Sequence, residues 1–256
     1  MSVAALEAVA LCKSFGGVRA AADVSFRVPE GTLTAVIGPN GAGKTTLFNL
    51  ITNLFAADSG EVRYFGAPLG KRTPAQIAAL GLVRTFQSAR IFPGMTALEN
   101  VLAGAHLHVR APALTQMLWL PAARREERAL VARAEALLDL AGLVAYRDVA
   151  ATDLPIGAQK LLEVMRALMA QPRLILLDEP AAGLNDAETA ELATLLRAVR
   201  DTGTTVAVVE HNMSLVMGVA DQVIVLDAGS IVASGTPAEI QRNPRVVEAY
   251  VGQEVS

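Results

Sequence analysis

The sequence predicts an α/β fold: a parallel sheet with helices packed on its faces. Three observations carry this. An apolar run at 33–37 ends in Gly38-Pro39, and residues 44–54 then show helical spacing. A second apolar run, 174–177, delivers two adjacent carboxylates, Asp178 and Glu179. Beyond Pro172, apolar runs at 174–177, 204–209, 222–226 and 230–233 alternate with helical segments, 188–202 being the clearest. Alternation of this kind places strands side by side through helical crossovers.

Taken in order, 6–14 and 24–28 are short β-like runs, the second stopped by Pro29-Glu30-Gly31. The helix at 44–54 puts Leu47, Leu50, Ile51 and Leu54 on one face. Runs at 61–65 and 82–86 read as further strands. From about 88 to 171 the pattern turns helical. Thr96 is an N-cap with Glu99 three residues on, the spacing of a capping box. Residues 111–123 hold two prolines and lack clear periodicity, so they read as a loop or short irregular helix. An amphipathic helix follows at 124–140 and stops near Gly142. Its charged start, 124–128, reads as a solvated face, His106, His108 and Trp119 as packing or surface, and Cys12 as a small core hydrophobe.

Composition removes several classes. Lys and Arg number 22 against 25 Asp and Glu, a net charge of −3. A protein that neutralises nucleic-acid phosphates carries a basic excess instead, so no nucleic-acid partner is expected. Hydrophobic residues make up 52% and the mean hydropathy is +0.39. Even so, no uncharged run approaches the roughly 18–20 apolar residues that cross a bilayer. One cysteine excludes an internal disulfide, and no basic segment precedes the N-terminal apolar stretch, so a cytoplasmic location without a signal peptide is expected.

The chemistry concentrates in two motifs. Gly38, Pro39, Asn40, Gly41, Ala42, Gly43, Lys44, Thr45 and Thr46 match the phosphate-loop pattern G-x-x-x-x-G-K-[ST]. Glycines let successive N–H groups face a phosphate, and the following helix N-terminus adds positive potential. Lys44 suits the β- and γ-phosphates and the Thr45 hydroxyl suits Mg²⁺. At the end of 174–177, Asp178 is placed to hold Mg²⁺ through water, and Glu179 to act as general base on the attacking water. No N-K-x-D guanine-reading segment is present. These motifs predict binding and hydrolysis of a nucleotide with Mg²⁺, without separating a transport motor from a kinase, a helicase or a GTPase.

The remaining positions resemble the ATP-binding subunits of ABC transporters over nearly the whole chain. Phe15 lies where that family stacks an aromatic on adenine. Gln87, in Arg84-Thr85-Phe86-Gln87, matches the glutamine that contacts Mg²⁺ and the attacking water, on a loop that faces the transmembrane partner. Residues 154–160 occupy the place of the LSGGQ signature, 182–185 match the D-loop, and His211 matches the histidine that contacts the γ-phosphate. Departures are clear: Pro155 replaces the signature serine, Ile156 its first glycine and Ala158 its glutamine, while Leu154 and Gly157 match. Asn185 replaces the D-loop aspartate. Pro155 is compatible with a helix start, and amides near Gly157 are expected to act in trans on ATP bound by a second protomer. Within the family, the segments 181–185, 209–216 and 235–252 are most similar to LivG-type subunits of high-affinity branched-chain amino-acid importers.

The resemblance implies a P-loop NTPase (RecA-like) core with an antiparallel β subdomain and an inserted α-helical subdomain. It divides the chain into 1–87, 88–171 and 172–256: first core part, helical subdomain, second core part. It implies an ATP hydrolase, peripheral on the cytoplasmic face of the membrane. Its partners are transmembrane permeases, a second ATPase subunit and, indirectly, a substrate-binding protein. The alternatives are an exporter or lipid-extraction ATPase and a non-transport ABC ATPase. Part of the apolar content is expected to line a groove near Gln87 and 88–110, where a membrane partner docks.

Overall fold

The computed structural model describes residues 4–85, 91–107 and 121–251. Among the described residues, ten strands form two sheets. β1 (Ala4–Phe15), β2 (Val18–Pro29), β4 (Ser59–Tyr64) and β5 (Ala67–Pro68) form an antiparallel sheet in the order β2-β1-β4-β5. β3 (Leu33–Ile37), β6 (Leu82–Arg84), β7 (Leu174–Asp178), β8 (Thr205–Val209), β9 (Gln222–Asp227) and β10 (Ser230–Gly235) form the second, ordered β10-β9-β3-β8-β7-β6. This sheet is parallel except for its β9–β10 hairpin.

Nine helices are described: α1 (Lys44–Ile51), α2 (Pro74–Ala79), α3 (Ala97–Ala103), α4 (Pro121–Leu140), α5 (Ile156–Met169), α6 (Asp186–Asp201), α7 (Met213–Val219), α8 (Pro237–Gln241) and α9 (Pro244–Val251). The strand period of two divides the core. Leu33, Ala35, Ile37, Ile175, Leu177, Val206 and Val208 face a cluster shared with α3, α4, α5, α6 and α7. Val36, Leu174, Leu176, Ala207 and Val209 face the opposite way, against α1 and the antiparallel sheet. With both faces covered, every residue of β3, β7 and β8 is buried. That is why these strands read as unbroken apolar runs rather than alternating ones. Part of the high mean hydropathy therefore lies inside this sheet. Among the described residues no helix is long and apolar enough to cross a membrane.

Several sequence expectations are corrected in detail. The helix expected over 44–54 ends at Ile51, because Asn53 adopts φ 52, outside the helical region. Leu54 consequently leaves the buried stripe and is 44% exposed. The helix expected from Arg124 begins at Pro121, and the one expected over 188–202 begins at Asp186. Asn185 is its N-cap in a full capping box with Glu188, so the asparagine does the capping work of an aspartate. The box at Thr96 and Glu99 forms as expected. Pro155 is the N-cap of α5, one position before the first helical residue. Cys12 is half-buried, and its sulfur accepts a hydrogen bond from the Asp23 amide at 3.3 Å. His108 and Trp119 lie outside the described residues.

Candidate nucleotide site

The loop between β3 and α1 has the strained backbone that phosphate binding demands. Gly38 has φ 153, and a Cβ there would lie 2.0 Å from the Leu226 carbonyl oxygen. Gly43 has φ 101, with the Ala20 carbonyl 2.2 Å from the Cβ position. Both sites accept glycine alone. Gly43 caps α1 and has no side chain of its own to occupy the amides of the first turn. The Lys44 side chain bends back over the loop, with Nζ donating to the carbonyls of Gly38 at 2.7 Å and Pro39 at 2.9 Å. Burial lowers its pKa, while the charges of Glu179 and Asp178 pull it upward. The first α1 turn holds no acidic residue to repel an anion.

Across the sheet, β7 ends in the carboxylates. Asp178 is 2% exposed, and its Oδ2 accepts from Arg84 Nη2 at 2.7 Å. Its Oδ1 is buried without a hydrogen-bond partner. Such an acceptor costs free energy unless something fills it. A hydrated divalent cation supplies the missing donors, and Thr45 stands at the start of α1, so the residues present fit Mg²⁺. Glu179 follows at φ 48, a left-handed conformation unfavourable for a residue that carries a Cβ. Its amide donates to the Val209 carbonyl at 2.9 Å, which holds this turn against β8.

Beyond β8, Glu210 is fully buried, a residue the sequence reading passed over. Its Oε1 accepts from the Ala181 amide at 2.7 Å, and its Oε2 from the amides of His211 at 2.9 Å and Asn212 at 3.1 Å. One carboxylate thus joins the turn after Glu179 to the backbone of His211. The His211 ring stays open to solvent, its side chain 58% exposed. Arg84 was also missed as a site residue. An arginine at a strand end and a glutamate before a histidine have no local pattern to announce them.

Phe15 is 42% exposed, its ring edge-on to Phe55 at 5.5 Å between centroids, rather than in the core where an isolated phenylalanine belongs. Gly157 lies on the first turn of α5. A Cβ there would meet Glu188 Oε1 at 2.5 Å, so the capped start of α6 packs directly on it. Gln87 lies outside the described residues. Near the end of β6, an open groove of 560 Å³ is lined by Leu54, Ile77, Ile91, Phe92, Arg84 and Arg166.

A family model described as ABC transporter matches residues 21–182. The chain belongs to the ABC transporter ATP-binding family. It is an ABC-type ATPase and binds ATP. A second model, described as branched-chain amino acid ATP-binding cassette transporter, matches residues 230–256. The cassette is 40% identical to the high-affinity branched-chain amino acid transport ATP-binding protein BraF of Pseudomonas aeruginosa, covering 99% of this chain and 100% of that one. It is 40% identical, with the same coverage, to LivG of Salmonella typhimurium. A probable LivG of Archaeoglobus fulgidus is 36% identical over 96% of this chain and 95% of its own length. Among solved structures, the ADP conformation of the ATP-binding cassette MJ1267 superposes with a TM-score of 0.85 at 32% identity, covering 98% of this chain and 100% of that one.

Proposed function

We propose that this cassette powers the uptake of branched-chain or related amino acids through partner transmembrane permeases, on the cytoplasmic face of the membrane. The carrying observation is end-to-end similarity to BraF and LivG, continued into the C-terminal segment at 230–256. The loop 38–46 cradles the phosphates of ATP. Lys44 exchanges its carbonyl partners for the β- and γ-phosphates, and the first-turn amides of α1 complete the cradle. Phe15 offers its exposed ring to adenine. Thr45, Asp178 and Gln87 would hold Mg²⁺. A bound Mg²⁺ would offset the charge that builds on the transferring phosphate.

Glu179 takes the proton of the attacking water, and His211 contacts the γ-phosphate. Amides near Gly157 act on ATP held by a second ATPase subunit, identical or homologous. Pro155 offers that phosphate no hydroxyl, so the contact rests on backbone alone. The groove beside β6 receives a segment of the permease, which accounts for exposed apolar residues such as Leu54 and Phe92. The expected test is labelled leucine uptake in cells lacking this gene. The wild-type chain should restore uptake. Glu179→Gln should bind ATP and restore none, with turnover lowered about 10²–10⁴-fold. Uptake that survives loss of the gene would overturn the substrate class, and near-normal turnover of Glu179→Gln would overturn the base.

A further inference from the structure

Arg84 holds Asp178 from a direction the nucleotide motifs do not describe. The guanidinium side chain is 7% exposed and donates through Nη2 to Asp178 Oδ2 at 2.7 Å. Through Nη1 it donates to Asn49 Oδ1 at 2.7 Å and reaches Thr52 Oγ1 at 3.4 Å. The Phe48 ring lies 5.6 Å from its central carbon. Asn49, Thr52 and Phe48 belong to α1 or its cap, the helix that opens with Lys44 and Thr45. The residue just past the end of β6, Thr85, accepts from the Asp178 amide at 3.4 Å. One planar fork therefore spans the carboxylate of β7 and the phosphate-loop helix.

The physical consequence follows from burial. A lone carboxylate this deeply buried either takes up a proton or finds a cation. Arginine stays charged at any working pH and its rigid donors fix direction as well as charge. Because Oδ2 is taken by Arg84, the rotamer of Asp178 is set, and Oδ1 is the oxygen left buried and unpartnered.

We propose that Arg84 is a positioning residue for the metal-binding carboxylate: anchored on Asn49, it fixes Asp178 so that Oδ1 stays open to the hydration shell of a divalent cation. This rests on the reading of Asp178 as a metal-holding residue. Lysine would keep the charge but could not span Asp178 and Asn49 together.

The test uses the full chain with Mn²⁺ as probe, measuring free Mn²⁺ by electron paramagnetic resonance in the presence of a non-hydrolysable ATP analogue. Arg84→Gln should weaken apparent Mn²⁺ affinity about 10–100-fold, the range seen when partners of metal ligands are removed. Arg84→Lys should recover part of this. Binding of a fluorescent ATP analogue in EDTA should stay within about twofold of wild type in both, since the phosphate loop is untouched. Asn49→Ala leaves the charge on Asp178 in place, and should still lower Mn²⁺ affinity about threefold by loosening the fork. It keeps the proposal testable if Arg84→Gln fails to fold. Asp178→Asn is the control: if it leaves Mn²⁺ affinity unchanged, the metal reading of Asp178 falls. If Asp178→Asn weakens Mn²⁺ binding while folded Arg84→Lys and Asn49→Ala match wild type, the role of Arg84 is overturned and Asp178 stands.

Discussion

Replacing Glu210 by glutamine is the sharpest probe of how the two halves of the site are joined. The carboxylate accepts three backbone amides, Ala181 on Oε1 and His211 and Asn212 on Oε2, and the His211 ring Nδ1 lies 4.0 Å from Oε2. A glutamine of the same shape has one acceptor oxygen. If that oxygen keeps His211 and Asn212, its NH₂ group faces the Ala181 N–H, donor against donor, across a gap that is now a 2.7 Å hydrogen bond. In the flipped orientation, two amides lose their acceptor. Losing one charge-assisted bond and stranding its buried donor costs about 2–4 kcal/mol. For a chain of this length each kcal/mol shifts Tm by about 2–4 °C, so the melting point should fall by roughly 5–15 °C. Calorimetry without nucleotide reads this directly. ATPase assays should show kcat falling more than KM rises, because the link runs between the Glu179 turn and His211 rather than through the phosphate loop. A Tm within about 2 °C of wild type would refute the reasoning, since it would mean the three amides find other acceptors at no cost.

Gly38→Ala should abolish tight nucleotide binding, because the new Cβ would lie 2.0 Å from the Leu226 carbonyl oxygen and force the loop open; titration with a fluorescent nucleotide checks it. Lys44→Met should end ATP turnover yet leave the nucleotide-free Tm unchanged or raised. Burial lowers the pKa of Lys44, so its charge is less favoured in the folded chain than in the unfolded one. The ATP-induced rise in Tm should vanish with it. Burial pushes Tyr64 and Tyr250 up to about 12 from 10.0. A folded-state pKa above the unfolded value contributes stability that is complete below about pH 10 and is lost as pH climbs toward 12. Phenolate absorbance at about pH 11 should therefore show these two tyrosines still protonated in the folded chain, and ionisation of both near 10 would contradict it.

The sequence by itself determined whatever depends on neighbours along the chain. The glycine spacing of 38–43, the capping pair at Thr96 and the apolar runs of β3, β7 and β8 are local patterns, and each appears in the structure where its residues place it. The similarity of ordered motifs added the family and its ATPase chemistry. Tertiary structure decided what depends on residues remote in sequence. It ended α1 at Ile51 and left Leu54 on a groove, and it turned Phe15 outward. It also supplied the partners of the buried charges: Arg84 meets Asp178 across 94 residues of chain, and Glu210 meets Ala181 across 29. A buried charge must be satisfied by whatever the fold brings beside it, and no periodicity in the sequence says which group that will be.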